Sequence, residues 1–138
     1  MLLFFYGVLL DSVAEGRVRT MLRGLGPGQP ATTSGRLYAV AESGRFYPAL
    51  IPGEGMARGM VHEAGTADLA ALDRFEDVWP DGTGEYRRQP IQISAGGGSL
   101  IADAHLYNRA VSANLVLIPH GDFARWLRET GARAFAQG

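Results

Sequence analysis

Leu2-Leu3-Phe4-Phe5-Tyr6 is an unbroken apolar run that stops at Gly7. Its length and aromatic content predict a short strand buried on both faces. Val13, Val18, Met21, Leu22 and Leu25 then recur at roughly helical spacing, with Asp11 or Ser12 placed to cap the helix. Gly24-Leu25-Gly26-Pro27-Gly28-Gln29-Pro30 ends it. This stretch lacks the spacing of a dinucleotide-binding glycine loop and reads as a connector. Strand-like stretches follow at about Gly35–Val40, Arg45–Ile51, Arg58–Glu63, Tyr86–Ser94 and Leu100–Asn108. Short strands separated by turn residues predict a strongly bent sheet or barrel. Ala95-Gly96-Gly97-Gly98-Ser99 joins the last two as a hairpin loop. Thr66 or Asp68 caps a helix over about Ala67–Glu76. A last helix begins near Asp122 and buries Phe123, Trp126 and Leu127, and the tail after Gly131 is expected to fray. Neither a repeat nor a long linker divides the chain, so residues 1–138 are read as one domain.

Composition narrows the chemistry. A chain of 138 residues and 14.8 kDa should expose roughly 7,000 Å² when folded, enough burial for a core without covalent staples. There is no cysteine. That excludes disulfides, thiolate metal sites and a cysteine nucleophile, and it fits a reducing compartment. Thirteen basic residues, all Arg, against 14 acidic ones leave a net charge of −1. This is no footprint for nucleic acid or an anionic membrane. The 13 aromatic residues are not interleaved with basic ones as RNA binding would need. No stretch approaches the roughly 20 apolar residues of a membrane span. The apolar start lacks a basic flank and meets Asp11 within a few residues, so a signal peptide is not expected and the cytoplasm is. His62, His105 and His120 lack short metal-ligand spacing and read as strand-edge or helix-start hydrogen-bonding residues. Neither a G-x-S-x-G elbow nor a phosphate-binding P-loop occurs.

Two places break local rules. At Phe5-Tyr6-Gly7-Val8-Leu9-Leu10 a strand runs into glycine and then toward a helix. Such a turn can aim several backbone N–H groups at one carboxylate or oxyanion. It can equally be a glycine that only permits a tight turn. The second place is Leu69-Ala70-Ala71-Leu72-Asp73-Arg74-Phe75-Glu76-Asp77. Leu69 and Leu72 mark an apolar helix face, and Glu76 falls on that face. The helix C-terminus disfavours a negative charge there. Asp73 and Asp77 add acidity, and Phe75, Val78 and Trp79 offer desolvation. These effects all raise the acid's pKa, as a general base working near neutrality requires. The alternative is a carboxylate at a fraying helix end, turned to solvent or paired with Arg74 or Arg88. Tyr86-Arg87-Arg88 opens a strand and either pairs ions there or buttresses a site.

Taken in order, these residues resemble the gamma-glutamylcyclotransferase-like family. Tyr6-Gly7-Val8-Leu9 is similar to its Tyr-Gly-Ser/Thr-Leu motif, and Arg36-Leu37-Tyr38 and Phe46-Tyr47-Pro48-Ala49-Leu50 to its next blocks. Gly59-Met60-Val61-His62-Glu63 resembles the following strand, and Leu72-Asp73-Arg74-Phe75-Glu76 the Leu-Asp-x-x-Glu segment that carries the catalytic glutamate. Tyr86-Arg87-Arg88 matches Tyr-x-Arg, and Ala104-His105-Leu106-Tyr107 the late strand. Val8 stands where Ser or Thr is usual, and Asp77 where Gly is common. Asp77 is expected to push the Glu76 carboxyl further up.

The resemblance implies an α+β fold, a small mixed β-barrel flanked by helices. It implies a cofactor-independent and metal-independent reaction in which the α-amine of a γ-glutamyl group attacks its own γ-carbonyl, giving 5-oxoproline and a released amine or amino acid. Glu76 is then the acid/base. Tyr6, Gly7, Val8, Leu9, Tyr47, Tyr86, Arg88 and Tyr107 are the expected substrate-binding residues. The expected partner is a small γ-glutamyl compound, with the chain a monomer or homodimer. The competing expectation is a non-catalytic binding protein for a carboxylated or γ-glutamyl metabolite, with Val8 as its mark.

Overall fold

The computed structural model describes residues 1–7, 9–10 and 16–134. The elements are β1 (Leu2–Phe5), α1 (Arg17–Met21), β2 (Gln29–Glu42), β3 (Arg45–Glu63), α2 (Leu69–Phe75), β4 (Tyr86–Ala95), β5 (Gly98–Tyr107), β6 (Leu115–Leu117) and α3 (Phe123–Thr130). The helix-capping candidates Asp11 and Ser12, together with Val13, lie outside the described residues, as does Val8.

Five strands close into a mixed barrel in the order β3-β1-β5-β4-β2, with β2 pairing back onto β3. β1 runs antiparallel to β3 and parallel to β5. It is therefore walled by strands on both sides, and Leu3, Phe4 and Phe5 are 0–2% exposed, as the unbroken apolar run predicts. β6 extends the sheet beyond β2 through Leu115–Leu117. The sequence reading did not include this strand, because three residues give too little alternation to register.

The two middle strands expected at Arg45–Ile51 and Arg58–Glu63 are one strand. β3 pairs with β2 on both sides of an irregularity, where the register passes from Arg36↔Ile51 to Ser34↔Met56. Pro52-Gly53-Glu54-Gly55 fills the extra length. Those residues carry turn chemistry, so they read as a break when they are a bulged corner that bends the strand around the barrel. The β2–β3 and β4–β5 hairpins turn on Ser43-Gly44 and Gly96-Gly97, all four at positive φ. Two-residue loops of that kind match the twist of the strands they join.

α2 begins at Asp68, whose side chain accepts from the Ala71 N–H at 3.0 Å, and buries Leu72 completely. α3 is capped in the same way by Asp122 on the Arg125 N–H. Phe123 is fully buried, with Trp126 and Leu127 packed against the core. Of the tail expected to fray, Arg133 and Ala134 are held, and residues 135–138 lie outside the described residues. The Phe46 N–H donates to Arg133 O at 2.9 Å, and Arg45 Nη1 donates to Ala134 O at 3.2 Å. Among the described residues no helix is long and apolar enough to cross a membrane.

Candidate active site

A cavity of about 30 Å³ opens where β1 ends. Phe4, Phe5, Tyr6, Gly7, Leu9, Tyr47, Pro48, Glu76, Tyr86 and His105 line it. Its walls come from the end of β1, the first half of β3, the C-cap of α2, and the start of β4 and end of β5. Five expected site residues thus share a wall with Glu76: Tyr6, Gly7, Leu9, Tyr47 and Tyr86. The expected residue Val8 lies outside the described residues. Arg88 and Tyr107 are not part of the lining and stand one layer behind it.

Glycine at position 7 is dictated by packing. A Cβ there would lie 1.8 Å from Pro48 Cγ, so any side chain would collide with the proline ring. The Leu10 N–H donates to Gly7 O at 2.9 Å and closes a turn. Among the described residues, no hydrogen bond uses the N–H of Gly7 or Leu9.

Glu76 is the C-cap of α2 and takes no hydrogen bond from a described residue. Burial pushes its carboxyl above the ordinary glutamate value; His105 opposes this, while the charges of Glu85 and Asp73 add to it. The sequence reading assigned part of that push to Asp77, and the structure corrects it. Asp77 adopts a left-handed backbone conformation, φ 55°. Its carboxylate accepts from Trp79 Nε1 at 2.5 Å and from the Glu85 N–H at 2.8 Å. The Glu85 and Trp79 hydrogen bonds hold it below its usual range. The left-handed turn is the physical reason a glycine suits that position. Trp79 is 51% exposed, so it does not desolvate the site as expected.

The tyrosine hydroxyls are occupied. Tyr6 Oη donates to His105 O, and Tyr86 Oη donates to Pro48 O at 2.5 Å. Tyr47 Oη donates to Glu85 Oε2 at 2.5 Å. Burial pushes the Tyr6, Tyr86 and Tyr47 phenols up, and the Glu76 charge adds to this at Tyr6 and Tyr86. They shape the cavity and do not titrate near neutrality. Tyr107 packs edge-on against Tyr86, with ring centroids 5.6 Å apart.

His105, expected to be a strand-edge hydrogen-bonding residue, lies instead on an inner strand and lines the cavity. Its ring is buried, and Nε2 lies 3.0 Å from Asp73 Oδ1. Burial works to raise the Asp73 carboxyl, but hydrogen bonds from His105 and Arg88 outweigh it and hold Asp73 low. An ionised carboxylate only accepts, so Nε2 carries the proton. The available signal was a histidine flanked by apolar residues in a predicted strand. Arg88 does not pair with Glu76, the pairing left open above. It donates to Asp73 from Nε at 2.9 Å and from Nη2 at 3.3 Å, and to Asp103 from Nη1 at 2.6 Å. His62 and His120 make local bonds, to Gly26 O and to Glu129 and the Asp122 N–H.

A closed mixed barrel, with the Glu76 carboxyl lining a cavity beside the turn that ends β1, defines the architecture as a small α+β fold. Residues 3–126 match the family described as gamma-glutamyl cyclotransferase, AIG2-like, and the chain belongs to that family. It is 31% identical over 123 residues to the gamma-glutamylcyclotransferase family protein ytfP of Citrobacter rodentium, covering 89% of this chain and 95% of that protein. The crystal structure of an AIG2-like protein from Mus musculus superposes with a TM-score of 0.73 at 21% identity, over 99% of this chain and 95% of that one. YkqA from Bacillus subtilis gives a TM-score of 0.66 at 23% identity over 94% of this chain, which spans 42% of YkqA.

Proposed function

We propose that the protein is a γ-glutamyl cyclotransferase-type enzyme. The observation that carries this reading is Glu76: a carboxyl raised by burial, lining one small cavity together with the Gly7 turn. The enclosed space suits a group the size of an ammonium. The substrate's α-ammonium gives its proton to Glu76, and the freed amine attacks the γ-carbonyl carbon. A new ring C–N bond forms and the bond to the leaving nitrogen breaks. Glu76 then returns the proton to that nitrogen, and the ring nitrogen gives up its second proton to the departing amine, which leaves as the ammonium; one carboxyl thus serves both steps in turn. The backbone N–H groups of Gly7, Val8 and Leu9 hold the substrate carboxylate or the tetrahedral oxyanion. Tyr47 and Tyr86 wall the glutamyl chain. Cyclisation is intramolecular, so orientation supplies much of the rate without a cofactor or metal.

The products are 5-oxoproline and an amine or amino acid. Glutathione-type peptides, γ-glutamyl amino acids, γ-glutamyl-ε-lysine and γ-glutamyl amines are the candidate substrates, and the cytoplasm is the proposed compartment. Mass-spectrometric detection of 5-oxoproline from such a panel, with Glu76→Gln alongside, tests the reading. Release by the wild type alone supports both reaction and residue. Val8, in place of a hydroxyl-bearing residue, favours the second reading, a binding protein for the same compounds. Calorimetric binding without 5-oxoproline would select it.

A further inference from the structure

Behind the cavity wall, two motifs that lie apart in the sequence meet in one ion-pair cluster. Asp73 belongs to the Leu72–Glu76 segment and Arg88 to Tyr86-Arg87-Arg88. Two nitrogens of the Arg88 guanidinium reach the two Asp73 oxygens at 2.9 and 3.3 Å, and its third reaches Asp103 at 2.6 Å. His105 faces Arg88 across the β4–β5 ladder, so both side chains serve the same carboxylate. Its ring donates to Asp73 Oδ1 at 3.0 Å and also lines the cavity. Asp73 and Arg88 keep less than a quarter of their side chains exposed, and His105 only 4%.

α2 has seven residues, which is too short to hold its geometry without tertiary contacts. Leu72 anchors it through apolar burial, which is not directional. The forked Arg88 contact is directional and fixes how the helix is rotated about its axis. Asp73 and Glu76 are three residues apart, so both lie on one side of the helix. The rotation that seats Asp73 therefore sets where Glu76 points.

We propose that Asp73 is a positioning residue. Clamped by Arg88 and His105, it holds the last turn of α2 so that the Glu76 carboxyl faces the cavity, and it fixes the His105 ring in the wall. This rests on Glu76 being the acid/base of the proposed reaction. Asp73 touches no reacting atom.

The test uses Asp73→Asn, which keeps size and loses charge, and Arg88→Lys, which keeps charge and loses the fork. Each variant is first checked for a cooperative melt. With the best substrate of the panel, each should lose on the order of 10²-fold in kcat, as small misplacements of a catalytic group do, with KM little changed. The double variant should be little worse than the worse single one, because one clamp is broken either way. In ¹³C NMR the Glu76 carboxyl resonance and its titration midpoint should move in both variants. Wild-type kcat with an unmoved Glu76 resonance in a folded variant overturns the proposal, as do additive losses. If Asp73→Asn does not fold, Arg88→Lys decides. If the wild type turns over nothing in the panel, the cyclotransferase reading fails, and the NMR measurement still decides the positioning role.

Discussion

Asp73 and Glu76 stand three residues apart on one side of α2, and their surroundings push their carboxyls in opposite directions. Burial raises Glu76, while the hydrogen bonds of His105 and Arg88 overcome burial at Asp73 and hold it low. Two acids of ordinary solution chemistry are thus pushed apart, one held ionised by its partners and one raised by burial, the separation that the proposed acid/base role of Glu76 requires. The difference lies in partners and not in the backbone, since both sit at the same end of the same helix.

Glu76→Gln should lower kcat by about 10²–10⁴-fold, the usual contribution of a general acid/base. Its stability should move the other way. A carboxyl whose folded pKa lies above its unfolded value favours folding when protonated, and loses that favour as pH rises through the folded pKa. The substitution removes that loss. Melting curves at neutral pH should show Glu76→Gln at least as stable as the wild type, with any advantage shrinking as the pH falls toward the ordinary glutamate value of about 4.3. A variant that melts lower at pH 7 but not at pH 4 would contradict this.

The rate profile should carry the same signature. In the proposed reaction Glu76 is ionised before it accepts the ammonium proton, so kcat/KM should rise with pH through a midpoint above the ordinary glutamate value. The Glu85 charge contributes to that elevation, and the ionised Asp73 does too, with His105 opposing both. Glu85→Gln should therefore shift the acid limb to lower pH. An unshifted limb in an active Glu85→Gln variant would exclude Glu85 from the site's electrostatics.

Gly7→Ala should be costly without touching any charge. The new methyl would sit 1.8 Å from Pro48 Cγ, so strand end or proline must move. A loss of about 1–3 kcal/mol in urea unfolding is expected, as for other overpacked sites. Activity should fall with it, because the displaced backbone carries the N–H groups assigned to the substrate. Wild-type stability in this variant would show that the turn is softer than its packing indicates.

Asp77 separates backbone from charge. Asp77→Gly and Asp77→Ala both lose the bonds to Trp79 and to the Glu85 N–H, but only glycine accepts φ 55° without strain. Asp77→Ala should be the less stable of the two by about 1–2 kcal/mol. Because the Asp77 carboxylate is held by Trp79 and the Glu85 N–H and is not among the groups that shift Glu76, the Glu76 titration midpoint measured by NMR should be the same in Asp77→Gly as in the wild type. A lower midpoint would restore the role the sequence alone suggested for Asp77.

Periodicity and turn chemistry act over a few residues, and what depends on them was legible in the chain. The both-faces-buried β1, the Asp68 and Asp122 caps, the Gly96-Gly97 hairpin and the placement of Glu76 on the Leu72 face are local statements. The family followed from motifs in their order. Strand continuity did not, because the Pro52–Gly55 corner has the chemistry of a loop and only its pairing with β2 makes it a bulge. The three-residue β6 exists because β2 offers it an edge. The site's second layer is also tertiary. Arg88 and His105 lie 15 and 32 positions along the chain from the Asp73 carboxylate they share, and only barrel closure makes them neighbours. A charged group's partners are set by distance in space. The residues of the chain determined which groups were available, and the folded barrel decided which carboxyl is held ionised by partners and which is raised by burial.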